Sequence, residues 1–147
     1  MSHTVLTYHI VFSTYRRKYI INIEHERELY KYIFYFSKYR DVFIRRIGGM
    51  PDHIHILCDI PAKLAVAEFV KLLKSETSKF MRDNPHFPLW EGWSEGYGAF
   101  TVDASLREKR VAYIMNQKQH HSHICFDDEY KDMLTEAGYV PPTSQSI

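Results

Sequence analysis

His53 and His55 stand one residue apart in the run GGMPDHIHILCDI, positions 48–60. A β-strand turns alternate side chains to opposite faces, so both imidazoles share one face while Ile54, Ile56 and Cys58 share the other. Their Cα atoms are then roughly 6.7 Å apart, close enough for both rings to turn onto one metal ion. An ordinary half-exposed strand can carry the same pair, so it gains meaning only from a third ligand and a reactive group elsewhere. Both are offered by Tyr113-Ile114-Met115-Asn116-Gln117. On a helix, Tyr113 and Gln117 stack one turn apart, and His120 and His121 continue near that face. A tyrosine hydroxyl, with an unperturbed pKa of about 10, is a poor nucleophile until a base or a metal field activates it. A Gln carbonyl is a neutral oxygen ligand that Mg²⁺ or Mn²⁺ accepts beside imidazole. Taken alone, a tyrosine at helical spacing in an aromatic-rich chain is simply core or surface.

The elements that must position these groups follow from periodicity. Residues 4–14 alternate, with Leu6, Tyr8, Ile10 and Phe12 on one face and Val5, Thr7, His9 and Val11 on the other, which predicts a central strand. Residues 24–39 lack Gly and Pro, place Leu29, Ile33 and Phe36 at helical spacing, and begin with Glu24, Glu26 and Glu28, which suit a helix N-terminus. Residues 41–47 read as a second strand. Gly48, Gly49 and Pro51 predict a tight turn into the His53 strand, so the two strands form a hairpin. Residues 62–83 predict a helix with an apolar stripe from Val66 to Met81. Its opposite face carries Lys71, Lys74, Lys79 and Arg82, and is either solvated or in contact with phosphates.

A Trp- and Gly-rich loop (87–98) leads to a strand at 99–102. Ser105 and Glu108 have capping-box spacing for a helix running to about His121. A short helix at 129–134 and the polar end PPTSQSI read as peripheral. The order β-α-β-β-α-β is that of a ferredoxin-like α+β fold, a split βαβ antiparallel sheet with both crossover helices on one face. The other face is then free for His53 and His55, with His9 and Thr7 as possible neighbours. Fold by itself does not assign function.

Composition narrows the class. The 147 residues suit a single domain with a core over about 4–135. Apolar residues make up 45% and charged residues 25%, and the net charge of +1 is not that of a general DNA coater. Cys58 and Cys125 form no C-x-x-C pattern, and neither a signal peptide nor an apolar run of membrane length is present. A reduced, cytoplasmic protein with no membrane partner is expected.

Three motifs in order, PDHIHIL, GYGAF and Y-I-M-N-Q-x-x-H-H, resemble the single-tyrosine HUH transposases of small bacterial insertion sequences and their relatives acting on repetitive extragenic palindromes. The likeness covers roughly residues 4 to 135. It implies that His53, His55 and Gln117 bind a divalent metal, Mg²⁺ or Mn²⁺, and that Tyr113 attacks a scissile phosphate of single-stranded DNA. The products would be a 5′-phosphotyrosine link and a free 3′-OH. It also implies hairpins at element ends as DNA partners, a nucleoid-associated location, and a homodimer whose active sites are shared between subunits. Gly92, Gly96 and Gly98 would then be a hinge for the tyrosine helix.

Other readings compete. A domesticated hairpin-binding repressor or structural protein without strand transfer is the alternative. A replication-initiation nickase would usually carry a helicase or primase segment, which these residues do not contain. An unrelated RNA-binding module of this fold would need exposed aromatics where the two histidines stand.

Overall fold

Alternation along residues 7–13 buries Ile10 and Phe12 on one side of a strand and His9 and Val11 on the other. This strand, β1 (Thr7–Ser13), lies at the sheet centre beside β3 (His53–Asp59), with β2 (Phe43–Met50) and β4 (Gly98–Thr101) at the edges. Every pairing is antiparallel. The computed structural model describes residues 1–121 and 124–142. The last residues of the expected polar tail, 143–147, lie outside them.

Helices α1 (Glu26–Lys38) and α2 (Val66–Arg82) are the crossover helices. Leu29, Ile33 and Phe36 from α1 and Phe69, Val70, Leu73 and Met81 from α2 pack with Ile10, Phe12, Ile54, Ile56 and Cys58 into the main core. This is the predicted split βαβ arrangement. The basic face of α2 is partly used internally: Lys74 Nζ donates to Ser94 O (2.9 Å), and Lys79 pairs with Glu76. Among the described residues no helix is long and apolar enough to cross a membrane.

The second sheet face is not free. Three more helices, α3 (Arg107–Met115), α4 (Gln117–His120) and α5 (Phe126–Glu136), close over it. Leu57 packs there with Val102 and Ile114, and Val11 with Phe126 and Met133. These apolar side chains alternate with the histidines on β1 and β3, so the face had hydrophobic area to bury as well as imidazoles to present. Both His53 and His55 are 0% exposed.

Several local expectations change. Gly48 and Gly49 lie within β2, paired with His55 and Ile54, and the turn is confined to Pro51-Asp52. Gly48 permits close approach: a Cβ there would lie 2.6 Å from the carbonyl oxygen of Ile114. The capping box at Ser105 does not form. Asp103 caps the preceding 3₁₀ turn through Ser105 N, and α3 begins at Arg107. The predicted helix to His121 bends at Asn116 (φ −95°, ψ 16°), dividing α3 from α4. Gly92 and Gly96 precede β4 and Gly98 begins it, and β4 is paired to β1, so the glycine run does not adjoin α3; residues 102–106 link β4 to α3, with Val102 N donating to Thr7 O and a 3₁₀ turn over Ala104–Leu106. Finally, α5 is longer than expected and central to the site.

Candidate active site

Strand β3 delivers His53 and His55 to the covered face, as its period of two requires. Asp52, in the turn before it, accepts a hydrogen bond from His53 Nδ1 at 2.7 Å. His55 Nδ1 lies 2.7 Å from His9 Nε2 on β1. Thr7, also considered as a neighbour, instead donates to Asp59 Oδ1 at 2.7 Å. Each strand imidazole is thus held through Nδ1, leaving Nε2 to face inward.

Gln117 and Glu129 meet those inward nitrogens. His53 Nε2 is 3.0 Å from Gln117 Oε1 and 3.3 Å from Glu129 Oε1, and His55 Nε2 is 3.3 Å from the same Glu129 oxygen. His121 Nε2 reaches that oxygen at 2.7 Å. The other oxygen, Glu129 Oε2, accepts from Gln117 Nε2 at 2.9 Å and from the Tyr113 hydroxyl. The Tyr113 ring centroid is 5.7 Å from that of His55 and 6.0 Å from that of His9. The structure therefore brings together His53, His55, Tyr113 and Gln117, all four named from the sequence, within one chain.

The charges are strongly coupled. Burial opposes a charge on His53, but hydrogen bonds to the Asp52 and Glu129 carboxylates outweigh it and push its pKa up to about 9. Burial brings His55 down to about 4 despite Glu129, and burial beside His55 keeps His9 neutral too. Glu129 is also penalised by burial, yet bonds from His121, His53 and His55 hold its carboxyl well below the usual carboxylate range. Burial, followed by the Glu129 carboxylate, raises Tyr113 above the ordinary phenol value. The cationic form of His53 is thus favoured beside the Glu129 carboxylate, and the Tyr113 hydroxyl keeps its proton.

Residues 2–117 match the family model described as transposase, IS200-like. The chain belongs to the IS200-like transposases. It is therefore an enzyme of DNA transposition and recombination. The transposase of insertion sequence element IS200 from Salmonella typhimurium is 30% identical over 120 residues, 75% of each protein. Two solved structures share the fold. A candidate transposase from Deinococcus radiodurans matches at TM-score 0.60 and 23% identity, over 79% of this chain and 93% of that one. A REP-associated tyrosine transposase bound to a REP hairpin matches at 0.64 and 13%, over 84% and 74%.

The donor set of this IS200-like transposase fits a divalent cation. Adjacent ligands at about 2.1 Å from a common octahedral ion are about 3.0 Å apart, the spacing of His53 Nε2 and Gln117 Oε1. Another His-Glu group, His25, Glu28 and His86, fits less well. Its imidazoles stack at 3.8 Å with 10° between their planes, leaving no point in both ring planes for an ion.

Glu129 was missed by sequence reasoning because its helix read as peripheral. The available signal was its position: Phe126, Glu129 and Met133 fall at i, i+3 and i+7, placing a carboxylate in an apolar stripe. Beside Gln117 opens a cavity of about 600 Å³, with Arg27, Lys31 and Arg46 in its lining beside Lys118, which is paired with Glu26.

Proposed function

We propose that this transposase cleaves and rejoins single-stranded DNA at hairpin-marked element ends, with Tyr113 as nucleophile and His53, His55 and Gln117 as ligands of a Mg²⁺ or Mn²⁺ ion. The observation that carries the reading is the Tyr113 hydroxyl bound to the same carboxylate that touches both buried imidazoles. In the reaction, the Tyr113 oxygen attacks the scissile phosphorus and forms a phosphotyrosine ester with the 5′ side. Tyr113 gives up its hydroxyl proton as it attacks, the bond to the 3′ oxygen breaks, and that oxygen takes up a proton in turn and leaves as a 3′-OH, so no proton is gained or lost overall. A 3′-OH from another strand reverses the step, so strands exchange with no external energy source. A divalent cation bound here would supply the positive field that favours the phenolate and the charge developing on the phosphate. Asp52 and His9 orient the two imidazoles from behind. The cationic lining of the cavity beside Gln117 suits an approaching phosphate backbone, and the hairpin bound by the REP-associated relative supports a hairpin substrate. The homodimer with shared sites remains part of this proposal. Exchange would carry α3 to α5 across on the connector 102–106.

The test is covalent capture. With a single-stranded hairpin oligonucleotide from its own locus and Mg²⁺ or Mn²⁺, the protein should form an adduct that survives denaturation. Tyr113→Phe removes one hydroxyl and should abolish the adduct while leaving hairpin binding intact. An adduct persisting in Tyr113→Phe would move the nucleophile elsewhere, with Tyr97 and Tyr130 tested next.

A further inference from the structure

We propose that the cavity beside Gln117 is a nucleotide-binding groove for the unpaired DNA flank next to the cleavage point. Phosphates lie on Arg27, Lys31 and Arg46, and a base lies on the apolar floor. The inference rests on the strand-transfer reading given above and names the part of the substrate that this groove takes.

The groove crosses the outer edge of β2, between α1 on one side of the sheet and the bend from α3 to α4 on the other. Its inner end is Gln117, whose Oε1 lies 3.0 Å from His53 Nε2, so a strand lying in it leads to the histidine pair. Among the described residues Glu26 is the one carboxylate in the lining. Lys118 neutralises it, donating to its two oxygens at 3.1 and 2.8 Å and to Gly49 O at 2.6 Å. That leaves Arg27 and Lys31, one turn apart on α1, and Arg46 on β2, none of which pairs with a carboxylate among the described residues. Such a concentration is local, because the whole chain has a net charge of only +1. A cationic groove of this kind tracks the backbone of a single strand.

The sheet edge is shaped to place Arg46 there. A bulge at Arg45 shifts the register of β2, so that Ile44 pairs with Cys58 and Arg46 with Leu57. Arg45 is held by Asp59, while Arg46 turns to the groove. Bulges beside a site commonly re-aim a side chain in this way.

Size and floor favour an unpaired nucleotide. The floor includes Ile47 and Met115, and Met115 is exposed although apolar. A phosphate gains nothing from such a surface, whereas the face of an unstacked base does. The volume of about 600 Å³ falls among pockets for single small ligands, about 300–1,000 Å³, and is too small for a base-paired stem. The stem must therefore bind elsewhere on the chain.

Fluorescence anisotropy without added metal reads binding with no cleavage. The probes are a hairpin oligonucleotide from the protein's own locus with its single-stranded flank, and the same stem without the flank. The triple variant Arg27→Ala, Lys31→Ala and Arg46→Ala should weaken binding of the flanked hairpin about tenfold or more. It should also lower the slope of log K against log salt by about 2, from about 0.7 for each phosphate contact on a single strand. Binding of the bare stem should not change. An abasic site next to the cleavage point should weaken wild-type binding about tenfold, and Met115→Glu should do the same with the intact flank. Wild-type binding in the folded triple variant, equal weakening of both probes, or no effect of the abasic site and of Met115→Glu would overturn the proposal. Should the triple variant not fold, the three single variants take its place, each lowering the slope by about 0.7. Covalent capture on the flanked hairpin separates the two readings. If wild type forms the Tyr113 adduct but the variants bind normally, the groove is wrong and strand transfer stands. If the variants lose flank binding but wild type forms no adduct, the groove stands and strand transfer is wrong.

Discussion

Asp59 closes the end of β3, where Arg45 from β2 donates to both its oxygens at 2.8 and 2.7 Å and Thr7 from β1 donates at 2.7 Å. Partial burial works against the carboxylate, but the bonds from Arg45 and Thr7 win and hold its pKa below the usual value. A depressed folded-state pKa contributes stability that is present above the unfolded pKa of about 3.9 and lost as pH falls through the folded value. Asp59→Asn should therefore lower Tm at pH 7 by a few degrees and flatten the fall in Tm below about pH 4. Thermal melts from neutral to acid pH read this directly, and wild-type and variant curves that stay parallel would dismiss the contribution.

At the scale of elements, the placement of α3 depends on β2 having no side chain at Gly48. An added Cβ would meet the backbone oxygen of Ile114 at 2.6 Å and its Cγ2 at 2.8 Å. A backbone carbonyl cannot rotate aside, so α3 itself must move, and Tyr113 moves with it. Gly48→Ala should cost about 1–3 kcal/mol, the range for overpacking. It should also slow adduct formation by about a hundredfold, since displacing a reacting group by about 1 Å has that effect. Calorimetry together with single-turnover cleavage checks both effects. Wild-type values in the two assays would show that α3 tolerates the contact.

For the whole molecule, the question is which chain supplies the tyrosine. Within the described chain, Tyr113 meets its own histidines, and α3 to α5 follow the sheet by the connector 102–106. A dimer exchanging this segment forms the same contacts between chains, each subunit giving one segment and receiving one. Tyr113→Phe and His53→Ala proteins, each inactive alone, should then recover toward half of wild-type adduct formation when mixed and allowed to exchange. A flat result with heterodimers shown to form would mean that each chain completes its own site.

The sheet and its two crossover helices were legible because they rest on local periodicity. Alternation in residues 7–13 and the stripe from Val66 to Met81 each bury one face, and the strands pair in the order β2-β3-β1-β4 of the split βαβ arrangement. His53, His55, Tyr113 and Gln117 were legible for the same reason: spacings of two and four residues place side chains on a common face whatever surrounds them. The fate of that face was not a local matter. The sheet needs a cover for Leu57 and Val11 as much as a site for its imidazoles, and α3 to α5 supply it, turning a half-exposed pair into a buried one. Glu129 lies 74 positions from His55 and 16 from Tyr113, yet its carboxylate touches both. No periodicity links residues at such separations; only the packing of α5 against the sheet brings that charge among the imidazoles, because the apolar stripe that docks the helix carries the carboxylate inward with it.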